Sequence, residues 1–220
     1  MSGLQTIINS ATSIQINRRR LVGIQYTRNQ IVKVGETPGR NPWRFSVKFD
    51  RPIQYAQARP LVEELDRLDR ALPSEITFSN NAKLSWMFAY QGRMTAAQIS
   101  TITITSFLGS SLVLGNLGAI PLDTVMFEPG DILQVAGQPY PFTVLNRVLR
   151  TSAATQTIPL NRGNFISDSV AGLGIVVGNA VRFYVLCTNM PTYTIIRGGT
   201  NGLVQFDGDF ELHEYTGLEI

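Results

Sequence analysis

Between Trp43 and Phe49 the chain alternates without a fault, with Trp43, Phe45, Val47 and Phe49 in one parity and Arg44, Ser46 and Lys48 in the other. Only a β-strand, whose successive side chains point to opposite faces, gives such a run one buried and one wet side. A sheet with one solvated face is therefore the first constraint on the fold. Neighbouring segments extend it. Leu21–Tyr26 and Gln30–Val34, separated by Thr27-Arg28-Asn29, read as a hairpin, and Glu36–Pro42 reads as a loop. Glu75–Phe78, Leu84–Tyr90 and Ile99–Thr105 are each expected to be strands, the last pairing an Ile face with a Ser/Thr face. Leu4–Ile16 has no clean period and is compatible with an arm or a short helix.

One helix is expected, over about 59–72. Pro60 would fall in its first turn, Leu61, Val62, Leu65, Leu68 and Leu72 would form its apolar stripe, and Pro73 would end it. Glu63 with Arg67 and Asp66 with Arg70 would form i,i+4 pairs on a solvated outer face.

Glycines at 109, 115 and 118 then loosen the chain before a series of short strands: Asp131–Val135, Phe142–Leu149, Thr155–Leu160, Val181–Leu186 and Tyr193–Ile196. Turns such as Glu128-Pro129-Gly130-Asp131, Gly137-Gln138-Pro139 and Asn161–Asn164 separate them, and the pattern suggests a small β-barrel. Leu203–Tyr215 reads as one further strand, with Asp207, Asp209, Glu211 and His213 on one face and Phe206, Phe210 and Leu212 on the other. The expected organisation is a mainly β domain over 1–107, completed by 203–220, with 108–202 as an inserted small β-barrel.

Charge is sparse, at 16% of residues, as on surfaces that become covered. It is also split. Residues 1–100 carry 14 Lys/Arg against 7 Asp/Glu and residues 101–220 carry 5 against 9, giving +7 and −4. Such polarity suits head-to-tail contact between identical subunits, and it also suits nucleic-acid binding by the first half. A single cysteine, Cys187, excludes an intramolecular disulfide. The first residues, Met1–Gln5, lack a basic segment followed by an apolar one, so no secretory leader is expected. Thr95–Leu122 is uncharged and long enough to span a bilayer, but its alternating Ser/Thr and scattered Gly favour strands and a loop, so no membrane partner is expected.

The residues that chemistry would need are scarce. His213 is the only histidine and no Gly-x-Ser-x-Gly elbow is present, which argues against a nucleophile with a base. One Cys and one His cannot build a zinc site. Asp207, Asp209 and Glu211 could attract Ca²⁺ or pose as a glycosidase pair, but they lack EF-hand spacing and a sugar-binding aromatic run, and strand alternation accounts for them better. Gly172–Gly178 has no Lys-Ser/Thr after it and reads as a bend between strands. Arg18-Arg19-Arg20, with Arg28, Lys33, Arg40, Arg44, Lys48, Arg51 and Arg59, could form a groove for nucleic acid, although these residues are spread over loops and strand faces. No catalytic residue, cofactor or metal is assigned.

Three segments share a further resemblance: Ile16-Asn17-Arg18-Arg19-Arg20-Leu21-Val22-Gly23-Ile24-Gln25, Gly39-Arg40-Asn41-Pro42-Trp43-Arg44-Phe45, and the helix Ala58–Leu72. With the closing Phe206–Leu212, they resemble baseplate and tail-tube-like proteins of contractile-tailed bacteriophages, in segments and element order over about half the chain. Phe127–Gln134 followed by Pro139–Leu149 looks like the small barrels that decorate such proteins. The resemblance implies a β-sandwich or half-barrel with one flanking helix, assembling as a hexameric ring with copies of itself. Strands such as Ile99–Thr105 would line the lumen. The implied role is structural, not enzymatic: a virion protein, made in the host cytoplasm, that starts the tail tube at the baseplate. Its partners would be tube, hub or baseplate proteins, with DNA met only in passage through the lumen. A distal-tail adaptor, a tail terminator ring and a nucleic-acid-binding module are the alternatives.

Overall fold

The structure, a computed structural model, describes residues 3–17, 22–26, 32–36, 42–49, 51–67, 73–81, 83–164, 166, 169–198 and 202–217. The chain opens with α1 (Gly3–Ser10), β1 (Ser13–Asn17), β2 (Val22–Tyr26), β3 (Val32–Glu36), β4 (Arg44–Lys48), β5 (Ile53–Gln54), α2 (Tyr55–Arg67) and β6 (Ser74–Thr77). A 3-10 turn at Ser85–Phe88 and α3 (Ala96–Thr101) precede β7 (Thr103–Leu108), β8 (Ser111–Gly115), β9 (Val125–Phe127), β10 (Ile132–Val135) and β11 (Pro141–Thr143). Then follow β12 (Val148–Leu149), β13 (Gln156–Pro159), β14 (Ile175–Val177), β15 (Arg182–Asn189), β16 (Thr192–Ile196), β17 (Leu203–Asp207) and β18 (Phe210–Glu214). The fold is mainly β.

Two hydrophobic cores organise it. The first draws mainly on two separate stretches, Leu4 to Phe88 and Val181 to Leu212, with Ile132 contributed from between them. It lies under a five-stranded antiparallel sheet of order β1-β4-β18-β15-β6. The alternation of Trp43–Phe49 does here what its pattern requires, burying Trp43, Phe45 and Val47 and exposing Arg44 and Lys48. Phe183 anchors an aromatic cluster, its ring 5.1 Å from Phe45, 5.4 Å from Trp43 and 5.7 Å from Phe78. Such tilted and edge-on contacts each add about 0.5–1.5 kcal/mol beyond area burial. Leu4, Ile7 and Ile8 of α1 and Ala58, Leu61 and Val62 of α2 complete this core.

The second core runs from Met94 to Ile175 and is enclosed by three small sheets: β11-β10-β14, β12-β9 and β13-β8-β7. No closed barrel forms among the described residues. The boundary also differs from the expected 108–202. The segments Val181–Leu186 and Tyr193–Ile196 belong to the first core's sheets, as β15 between β18 and β6 and as β16 beside β17. These partners lie far away in sequence, so local patterning carries no trace of them.

Several local expectations are corrected. Leu84–Tyr90 is no strand: the Asn81 side chain accepts the amide N–H groups of Lys83 (2.8 Å) and Leu84 (3.1 Å), donates to Ile8 O (2.6 Å), and winds the chain into the 3-10 turn. Ile99–Thr105 is split. Thr95 and Gln98 form a reciprocal capping box that starts α3, and extended structure resumes only at Ile102. The helix expected over 59–72 begins at Tyr55, whose N–H is held by Gly202 O, so Pro60 lies inside the helix; residues 68–72 are outside the described part. Leu203–Tyr215 is broken at Gly208 (φ 133°), which passes the chain from one sheet to another. The hairpin pairs as β2 with β3, Ile24 opposite Val34, and its turn at residues 27–31 lies outside the described residues.

Candidate functional site: a polar sheet face and its edges

The outer face of the five-stranded sheet is polar and carries an open concavity of about 430 Å³, lined by Gln15, Asn17, Arg44, Phe45, Ser46, Asp209, Glu211 and His213. Register builds it. Asn17, Arg44 and His213 lie in one row across β1, β4 and β18, and Gln15, Ser46 and Glu211 lie in the row beside it. Ser46 Oγ donates to Asp209 Oδ2 at 2.8 Å, so this hydroxyl is engaged by a carboxylate rather than by the imidazole. Burial holds His213 below the usual imidazole pKa, the Arg44 charge adds to that, and Glu211, 3.9 Å from Nε2, opposes it. The ring is therefore neutral at pH 7.

The polar face continues onto β15 and β6. Tyr184 donates to Glu75 Oε2 at 2.9 Å, and Arg182 lies 3.1 Å from Glu75 Oε1. The tyrosine pKa is raised, by burial first and then by this carboxylate.

The acidic run divides. Asp209, Glu211 and His213 reach the concavity, whereas Asp207 lies on β17 and accepts from Thr194 Oγ1 (2.7 Å) in a different sheet. Among the described residues no His, Cys, Asp and Glu side chains gather in a group that could hold a metal ion. Gly172 and Gly178 have positive φ around β14, as a bend requires. Of the basic residues, Arg44 and Lys48 are exposed on β4, Arg51 on a bend and Arg59 on α2, while Arg18–Arg20, Arg28 and Arg40 lie outside the described residues.

Two buried ionic features were not anticipated. Arg162 and Glu214 form a bidentate ion pair, Nη1 to Oε2 and Nη2 to Oε1 both at 2.7 Å, with both side chains wholly excluded from solvent. Glu214 also accepts the Trp43 N–H (2.9 Å), and Arg162 also donates to Pro141 O and lies over the Phe142 ring. The pair ties the loop after β13 to the last strand of the large sheet. A signal was present: alternation puts Glu214 in the parity of Phe210 and Leu212, and a carboxylate on a core face needs a partner. Asp131, also buried, accepts the N–H groups of Gln91 (2.7 Å) and Glu128 (2.8 Å) and pins the Glu128–Asp131 turn; burial raises its pKa.

No protein-family model matches the sequence, and no curated protein matches it.

The sheet edges are unequal. At β6 the Gln5 side chain mimics a strand, donating to Thr77 O (2.8 Å) and accepting Thr77 N–H (2.7 Å). At β16, the end strand of the sheet β16-β17-β5, every residue is exposed, including Tyr193, Ile195 and Ile196. Edge strands are normally blunted by charge, proline or a covering element. β16 carries no charged residue. No helix among the described residues is long and apolar enough to cross a membrane.

Proposed function

We propose that the chain is a structural subunit of a bacteriophage tail, assembling with copies of itself into a ring at the junction of baseplate and tail tube. The observation that carries this reading is the large sheet: one face is sealed by the aromatic core, α1 and α2, and the other is mostly polar from Gln15 to Glu75, with Leu186 as its apolar member on β15. A ring with an aqueous lumen needs such a wall. In this reading the lumen wall is this face rather than Ile99–Thr105, which is split between a helix and a strand. The sparse, divided charge and the segmental resemblance to tail-tube-like proteins support the same reading. The ring would be hexameric, non-enzymatic, part of the virion, and in contact with DNA only as it passes through. A distal-tail adaptor or terminator ring would use the same wall.

The test is negative-stain imaging with light scattering of the purified chain, alone and mixed with tube, hub or baseplate proteins. Rings or stacked tubes with a central hole are expected; a monomer in every mixture refutes the proposal.

A further inference from the structure

We infer that copies of this chain join through their sheets, β1 of one copy adding antiparallel to the edge of β16 of the next that has no partner strand among the described residues, with Ile16 opposite Tyr193 and Ile14 opposite Ile195. The inference rests on the ring reading only for closure of the chain of contacts.

Both strands end their sheets, both are five residues long, and neither is charged (SIQIN and TYTII). Their backbone phases agree. Glu214 N–H bonds to Trp43 O, so on β4 the core-facing residues face β18 and the polar residues face β1. Alternation of an antiparallel ladder then turns the N–H and C=O of Ile14 and Ile16 to the outer side of β1. On the other sheet, Tyr55 N–H bonds to Gly202 O, which gives the even-numbered residues of β17 to β5 and the odd ones to β16. The same alternation leaves Tyr193 and Ile195 with their backbone groups on the bare side.

The faces agree as well. Ile14 and Ile16 pack against the first core, and Tyr193 and Ile195 lie opposite buried Phe206 and Val204. In the proposed register these four continue one apolar face while Gln15 meets Thr194 and Asn17 meets Thr192 on the polar one. A slip of one residue would put Ile16 against Thr192 or Thr194 and Gln15 against Tyr193 or Ile195. With Gln5 closing β6, the contact is head-to-tail rather than two-fold.

The experiment uses the full chain with Cys187→Ser, carrying Gln15→Cys and Thr194→Cys together or singly, oxidised and run without reductant, with the same samples imaged. Opposed residues at such a joint have Cα atoms about 4.5 Å apart, within disulfide range. The double variant is expected to give a ladder of linked oligomers and each single variant none. Rings on the grid without 15–194 linkage overturn the strand joint and leave the ring reading standing. A ladder without rings keeps the joint and removes closure. Dimers from Thr194→Cys alone show that β16 pairs with itself and overturn the inference. As a second arm, Ile195→Pro removes an outward N–H without touching the β17 ladder, and is expected to abolish linkage while circular dichroism stays unchanged; undiminished linkage overturns the inference.

Discussion

Replacing Arg162 by Met should be among the most damaging single changes in the protein. The guanidinium donates to both oxygens of Glu214 and to Pro141 O, and no water reaches either side chain. Methionine fills part of the volume but leaves a buried carboxylate holding only the Trp43 N–H among the bonds described here, and an acceptor at Pro141 without this donor. Breaking one side of a buried pair costs about 3–5 kcal/mol, because the remaining charge is uncompensated. For a chain of this length each kcal/mol lowers Tm by about 2–4 °C, so the expected fall is about 6–20 °C. Urea unfolding followed by tryptophan fluorescence is the assay, since Trp43 belongs to the same network. Arg162→Met with Glu214→Leu removes both charges and should recover most of the loss. A single variant costing under about 1 kcal/mol, or a double variant no better than the single, would refute the claim that uncompensated charge sets the cost.

His213 gives a clean test of the concavity because it is the only imidazole. An NMR titration should place its pKa below 6.5, rising in Arg44→Gln and falling further in Glu211→Gln. Its folded-state pKa is depressed, so the stability it contributes is present above the unfolded value near 6.5 and is lost as pH falls through the folded value. Thr95→Ala removes the capping box of α3 and should cost about 1 kcal/mol in urea unfolding. Gly92→Ala places a methyl 2.4 Å from Met126 O, and a loss of about 1–3 kcal/mol is expected in thermal unfolding.

The parts of the fold legible in sequence are those decided locally. Trp43–Phe49 declares its sheet because one face is buried and the other wet. The hairpin of β2 and β3 follows from two β-rich runs and a polar break. Leu84–Tyr90 misleads because its alternation is overruled by one buried amide, that of Asn81. The Thr95–Gln98 box was there to be read, but the Ile and Thr alternation of the following residues points the other way. Pairings such as β15 with β6, over a hundred residues apart, have no local signature at all. The same holds for the concavity: Arg44 and His213 are each visible as polar strand residues, and only the β4–β18 register makes them neighbours.

The two faces of β10 have a consequence for the order of events during synthesis. Ile132 belongs to the first core and its neighbour Leu133 to the second, so this strand is the wall between them. Everything the second core needs has left the ribosome once Ile175 has emerged, whereas the first core waits for β15, β17 and β18. Local contacts close early and distant ones late. A nascent chain therefore holds the residues of the second core beside an unfinished sheet, and β16 gains its neighbour β17 only later. The uncharged edge of β16 is thus laid down only after the second core's residues have been made, so an exposed strand edge is absent while that core closes.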